Sequence, residues 1–306
     1  MSRKPHPSIS ANTLEFETLP LVKPTGFREY DARWWFGLPS EEKPSELNLY
    51  GVRALGEGLG TLMHERGVDP NIAVGHDFRH YSLGIKMSLI AGLMNAGVNV
   101  HDIGLAISAM AYFTQFHLNC AGVAMVTASH NSNGWTGVKM GIEAPLTFGP
   151  DEMSRLKEIV LEGQSVARQG GSYRYVDGVR EAYIKDVVGD VKLSRPIRVV
   201  AACGNGTAGA FAEEVLTRVG ADVVPVECDL DWSQIITRTL KRWKCCMLCA
   251  MLALIIKPKL RSDLMGTGID AAWLTIRAKK FLPIRSGLCS RAISPKFMRT
   301  HNLLSM

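Results

Sequence analysis

The stretch that most constrains this chain is Val123-Ala124-Met125-Val126-Thr127-Ala128, which runs directly into Ser129-His130-Asn131-Ser132-Asn133-Gly134 and on to Lys139 and Gly141. The apolar and small residues predict a short buried strand, and the residues after it a polar, glycine-bearing loop. In open α/β sheets ligands bind beyond the carboxyl ends of strands, so a hydroxyl here faces substrate instead of core. A serine oxygen surrounded by backbone N–H groups, with a cation nearby, suits a phosphoryl group. The plainer alternative is that Ser129 and Asn131 cap a helix or turn. His130 is either a proton shuttle or a hydrogen-bonder that orders the loop, and the second is expected. With no Gly-x-Ser-x-Gly elbow, a serine hydrolase is set aside.

Around this loop the hydrophobic period alternates between helix and strand. Leu49 to Glu65, Ile85 to Ala96 and Ala111 to Leu118 read as helices; Asn71 to Gly75, Val98 to Ile103 and Val123 onward read as strands. That order predicts a parallel sheet with helical crossovers. A helix from Asp151 to about Leu161 follows Pro150, and the glycine-rich stretch 163–171 reads as a domain boundary. Glu181 to Val191 (helix), Ile197 to Ala201 (strand), a Gly204-Asn205-Gly206 turn opening a helix toward Val219, and Asp222 to Val226 (strand) begin a second α/β domain. The glycine turn could hold phosphate on free N–H groups; a purely conformational role is expected. Residues 1–25 read as a mobile lead-in.

Three segments resemble signatures of the α-D-phosphohexomutase family (phosphomannomutase/phosphoglucomutase). Thr127 to Asn131 match its Thr-Ala-Ser-His-Asn-Pro core, with Ser132 in place of proline, and Gly137 and Lys139 match the glycine-x-lysine pair that follows. Phe27-Arg28-Glu29-Tyr30-Asp31-Ala32-Arg33 resembles the Phe-Arg-x-Tyr-Asp-x-Arg-Gly loop, with Trp34 replacing the glycine. Gly75-His76-Asp77-Phe78-Arg79-His80-Tyr81-Ser82 resembles Gly-x-Asp-x-Arg-x-x-Ser. A fourth signature is altered: where the family has Gly-Leu-x-x-Thr-Pro, this chain has Gly104-Leu105-Ala106-Ile107-Ser108-Ala109.

The resemblance implies an α/β fold of mixed or parallel sheets flanked by helices, in about two tandem phosphohexomutase-type domains, 26–162 and an incomplete 172–231. It implies a mutase that moves a phosphoryl group between the 1- and 6-positions of a hexose phosphate through a phosphoserine at Ser129. Lys139 would be the acid/base helper (its bland alternative is a solvated surface lysine), and Arg33 a phosphate-facing cation (its alternative is a surface pair with an aspartate). His130 and Asn131 would complete the site, with Asp77 and Arg79 a supporting ion pair. Mg²⁺ would be required, with Ser129 binding it through its phosphate. His76 and His80 have no partner at metal-ligand spacing.

Composition limits the alternatives. The absence of a long uncharged apolar run predicts no membrane span, and Met1 to Pro7 carries no signal-like apolar region, which predicts a cytoplasmic protein with its seven cysteines reduced. The net charge of +6 is an average over unlike parts: residues 1–231 hold 21 Lys+Arg against 27 Asp+Glu, a balance of −6, and residues 232–306 hold 14 against 2, a balance of +12. Nucleic acid is nevertheless not an expected partner. Cys245, Cys246 and Cys249 lack a suitable fourth ligand for zinc.

From about Trp232 the family pattern stops, which either a genuine basic module or a changed reading frame would explain, and the changed frame is expected. Leu264-Met265-Gly266-Thr267-Gly268-Ile269-Asp270 can be encoded TTG ATG GGG ACG GGG ATC GAT; read from the third nucleotide this gives Asp-Gly-Asp-Gly-Asp-Arg, the family's metal-binding loop. The aspartate ligands are therefore expected to be missing from the printed chain, and an inactive truncated fragment stands as the alternative to a working mutase.

Overall fold

The computed structural model describes residues 4–38, 42–195 and 197–231 in full, together with two backbone strands further on, Leu260–Asp263 and Trp273–Ile276. The chain divides into two units, Met1–Lys185 and Asp186–Met306.

The first unit is a six-stranded sheet between helices. Its strands are β1 (Ala32–Trp35), β2 (Asn71–His76), β3 (Asn99–Leu105), β4 (Gly122–Val126), β5 (Trp135–Gly141) and β6 (Ser172–Tyr175), in the order β1-β5-β4-β2-β3-β6. The pairs β4/β2, β2/β3 and β3/β6 are parallel, as the alternation of helix and strand predicts; β5 and β1 are added antiparallel, so the sheet is mixed. The helices are α1 (Leu14–Thr18), α2 (Leu49–Glu65), α3 (Ser82–Asn95), α4 (Ser108–His117), α5 (Pro150–Leu161) and α6 (Val179–Val188).

One face of the sheet carries the main core. Val52, Leu55, Leu59 and Leu62 of α2, Ile85, Leu89 and Leu93 of α3, and Leu156 and Ile159 of α5 close over Val74, Val100, Val126, Val138 and Met140. Helix α2 bears its apolar residues at intervals of three and four, which puts them on one stripe. Its glycines allow close helix contact: a Cβ on Gly56 would stand 2.2 Å from the Leu89 carbonyl oxygen, and one on Gly92 of α3 2.1 Å from the Arg53 carbonyl oxygen. Beside α4, Phe113 meets Tyr183 of α6 edge to face at 5.7 Å.

One expectation needs correction. Residues 4–25 are docked, not loose: Leu21 and Val22 are fully buried. Asn48, the N-cap of α2, accepts from the Gly51 and Leu21 N–H groups at 2.8 and 2.9 Å and donates to the Phe16 and Leu19 carbonyls at 2.7 and 2.8 Å. One amide thus caps a helix and satisfies the incoming backbone. Strand β6, which follows the glycine-rich stretch 163–171, pairs with β3, and the first compact unit runs to Lys185.

The second unit contains β7 (Ile197–Ala202), α7 (Gly209–Arg218) and β8 (Ala221–Val226), with β9 (Leu260–Asp263) and β10 (Trp273–Ile276), in sheet order β10-β9-β7-β8. The rest of the segment after Asp231, including the stretch whose shifted frame reads as a metal loop, lies outside the described residues.

Candidate active site

Strand β4 is buried along its whole length and delivers the serine loop to its carboxyl end. The hairpin with β5 extends one residue further, because the Thr127 N–H donates to the Gly137 carbonyl at 2.9 Å. Thr127 Oγ1 then accepts from the Ser129 N–H at 2.9 Å, a side-chain turn that bends the backbone out of the strand. Ser129 follows in the left-handed region at φ 55°. A non-glycine residue there costs on the order of 1–3 kcal/mol, held only when its surroundings fix it. Ser129 is half-buried and His130 exposed, with Ser129 Oγ 3.4 Å from His130 Nδ1.

Two buried arginines fix the loop from either side. Arg33, on edge strand β1 and not in a loop, donates to the Ala128 carbonyl and, at 2.9 Å, to Asn131 Oδ1. Its Nε and Nη2 reach Asp31 Oδ2 at 2.9 and 2.7 Å. The Arg–Asp pair is thus present, but it is not a surface pair: the Arg33 side chain is 5% exposed. Burial lowers the Arg33 pKa and the Asp31 charge opposes that shift.

Arg79 comes from the turn after β2. Its guanidinium donates to the carbonyls of Asn131 at 2.7 Å, Ser132 at 3.1 Å and Ser129 at 3.3 Å, and to Asn133 Oδ1 at 3.3 Å. Asp77 holds it at 3.2 Å and accepts in turn from Ser82 Oγ at 2.5 Å, while the Asp77 N–H donates to the Val126 carbonyl at 2.9 Å. The supporting ion pair predicted for Asp77 and Arg79 therefore lies directly beneath the loop. Tyr81, which sequence reasoning passed over, closes the far side: its hydroxyl accepts from the Gly134 N–H at 3.0 Å and donates to the Trp135 carbonyl at 2.8 Å. These contacts hold the loop where Ser132 replaces proline.

Lys139 stands on β5, half-buried, opposite Met125 of β4. Arg33 pairs with Gly137, two residues before Lys139. Cross-strand partners and residues two apart share a sheet face, so Arg33, Lys139 and Met125 lie on one side, opposite to Val138 and Met140 of the main core. The loop thus gathers Ser129, His130, Asn131, Arg33 and Arg79, with Lys139 on the adjoining strand.

Trp34, where the resembling signature has glycine, belongs to the core. It is fully buried, meets Phe27 edge to face at 5.2 Å and donates from Nε1 to the Lys23 carbonyl at 2.8 Å. It fills the space beneath the docked amino-terminal segment.

The described residues do not form a magnesium site. Among them no three His, Cys, Asp or Glu side chains come together, and Asp31 and Asp77 are each held by an arginine.

Residues 25–167 match the family profile described as Phosphoglucomutase/phosphomannomutase, alpha/beta/alpha domain I. A phosphomannomutase/phosphoglucomutase of Pseudomonas aeruginosa is 30% identical over 212 residues, covering 69% of this chain and 43% of that protein. A phosphomannomutase of Escherichia coli is 35% identical over 210 residues, covering 66% of this chain and 43% of that protein. The chain therefore spans about two fifths of the length of these relatives. Its fold is similar to that of a phosphoglucomutase/phosphomannomutase family protein from Burkholderia thailandensis, with TM-score 0.74 at 23% identity over 85% of this chain and 56% of the other. With the serine loop and its arginine frame in place at the end of β4, residues 25–167 form a first α/β/α domain of the phosphoglucomutase/phosphomannomutase family.

Proposed function

We propose that this chain carries the phosphoserine domain of a phosphohexomutase, in which Ser129 Oγ holds a phosphoryl group and exchanges it with the 1- or 6-hydroxyl of a hexose phosphate. The observation that supports this most is the backbone of the loop. Ser129 is held at φ 55° at the carboxyl end of a central strand, with the carbonyls of Ala128, Ser129, Asn131 and Ser132 drawn onto Arg33 and Arg79. Carbonyl dipoles would repel a phosphate, and tying them to buried guanidinium groups makes room for an anion on the hydroxyl side.

In transfer to substrate, the Ser129 Oγ–P bond breaks as the P–O bond to the sugar hydroxyl forms, the hydroxyl proton passes to the Lys139 amine, and the departing Ser129 Oγ takes up a proton from water. Lys139 suits this because the sheet register places it on the same side as Arg33. His130 and Asn131 order the loop around the serine. Magnesium belongs to the same proposal for the complete family enzyme, with the phosphate on Ser129 as one ligand. The remaining ligands would come from outside the described residues, and no step above passes through the ion.

That last point supports a second reading, a phosphorylatable domain without turnover. Incubation of the chain with a hexose 1-phosphate, a trace of hexose 1,6-bisphosphate and Mg²⁺ separates them. Appearance of hexose 6-phosphate supports the mutase; a phosphorylated Ser129 without 6-phosphate supports the non-turnover reading. Neither product refutes both.

A further inference from the structure

The second unit holds a pair of thiols that the serine chemistry does not use. The parallel strands β7 and β8 align Ala202 with Val226, and the Cys203 N–H donates to the Val226 carbonyl at 3.1 Å, so both chains leave the sheet side by side. Each then turns at a left-handed residue, Asn205 at φ 54° and Glu227 at φ 51°, and the Asn205 N–H donates to the Glu227 carbonyl at 2.6 Å. The second turn folds Cys228 back over the strand ends. Its Sγ lies 3.4 Å from Cys203 Sγ, 3.3 Å from the Ala201 carbonyl and 3.5 Å from the Val226 carbonyl.

The position of Cys228 is set by close packing, since a Cβ on Gly209 would stand 2.0 Å from its carbonyl oxygen. Cys203 is fully buried with Ala208 and Ala212, while Cys228 is half-buried. The arrangement therefore gives one sulfur that solvent can reach and one behind it.

We propose that Cys203 and Cys228 are a redox-active dithiol that closes to a disulfide across the ends of β7 and β8, with a low-molecular-weight disulfide as the oxidant. The Cys228 thiolate attacks one sulfur of the oxidant, forming a mixed disulfide and releasing one thiol. Cys203 Sγ then attacks Cys228 Sγ, the mixed S–S bond breaks, and the Cys203 proton leaves with the second thiol. The protein loses two hydrogens and two electrons, and the oxidant becomes two thiols. The sulfurs must close by roughly 1.4 Å to reach an S–S length of about 2.05 Å, a movement within side-chain rotation.

The division of roles follows the environment. The contact between the two sulfurs holds Cys228 below the ordinary thiol range against the effect of burial, and the same contact together with burial pushes Cys203 far up. Cys228 is thus the attacking sulfur and Cys203 the resolving one. Cys120, in the first unit, is buried and pushed up to about 11 by burial, so it stays a thiol.

Trypsin separates the pair, because Arg218 lies between them: Cys203 falls in residues 199–218 and Cys228 in 219–238. The full-length chain is treated with glutathione disulfide, quenched by acid alkylation and digested without reduction. The expected result is a 199–218/219–238 linked peptide, formed at least about tenfold faster in the folded chain than in urea, where only a flexible loop joins the sulfurs. Cys203→Ser should stop at glutathione on Cys228, and Cys228→Ser should leave Cys203 unmodified. Absence of the link, equal rates in urea, or preferential linkage to Cys245, Cys246 or Cys249 would each overturn the proposal.

Discussion

Replacing Arg79 by methionine should unfold the serine loop's support more than any surface change. Arg79 and Asp77 side chains are 3% and 7% exposed, and the substitution leaves the Asp77 carboxylate buried with Ser82 Oγ and the residue-79 N–H as its partners. Breaking one side of a buried pair costs about 3–5 kcal/mol, because the surviving charge stays desolvated. The carbonyls of Ser129, Asn131 and Ser132 also lose their donor, but Ser132 is exposed and water can replace part of that loss, so the ion-pair term dominates. With a urea slope of about 2 kcal/mol per molar, a loss of 4 kcal/mol lowers the unfolding midpoint by about 2 M. Trp135, the first residue of β5 where the loop ends, provides a fluorescence signal. Asp77→Asn in the Arg79→Met background removes the stranded charge and should recover about 1–3 kcal/mol, a coupling that the double-mutant cycle isolates. A midpoint shift under about 0.5 M for Arg79→Met, or no recovery in the double variant, would refute the claim that this pair frames the loop.

Three further outcomes follow from local geometry. Gly26→Ala sets a Cβ 1.9–2.3 Å from the indole of fully buried Trp34 and should cost about 1–3 kcal/mol or more, whereas Gly84→Ala, on the exposed side of α3 with nothing within 4 Å, should stabilise by about 0.4–1 kcal/mol; thermal melts of the two variants should move in opposite directions. Thr136 Oγ1 is buried without a hydrogen-bond partner among the described residues, so Thr136→Val should raise stability by about 1 kcal/mol, and a lower melting temperature would count against that reading. His76, 2.8 Å from the Gly104 carbonyl, is held below its ordinary pKa first by burial and then by Lys86. The unfolded chain then binds the proton more readily, so this contribution is complete above about pH 6.5 and is lost as pH falls toward the lowered folded value; His76→Gln should flatten the decline in denaturation midpoint over that range.

Much of the first unit was legible because its signals are local. The apolar run Val123 to Val126 and the periodic helices each depend on neighbouring residues alone, and the parallel order of β4, β2 and β3 follows from their crossovers. The antiparallel addition of β5 and β1 was not legible, because it depends on a hairpin closed by Arg79 and Tyr81 from another part of the chain. The lead-in looked mobile because its order comes from Asn48, some thirty residues on, and from the packing of Trp34 on Gly26. Strand β6 was missed for a related reason: Ser172 to Tyr175 is exposed at the sheet edge and carries no buried face to reveal it. At the site, Ser129 and the Asp77–Arg79 pair could be found from their motifs. The commitment of Arg33 to Asp31, Ala128 and Asn131 could not, because three separate segments converge on one guanidinium.

The central claim is that Ser129 is the phosphoryl carrier, and phosphate mapping tests it most directly. The chain is incubated with a hexose 1,6-bisphosphate and the serine-loop peptide is analysed by tandem mass spectrometry, with Ser129→Ala in parallel. The account predicts one phosphoryl group, located on Ser129 and absent from the variant, with Ser132 unmodified. An unmodified loop in the folded wild-type chain, or phosphate that persists in Ser129→Ala, would contradict it.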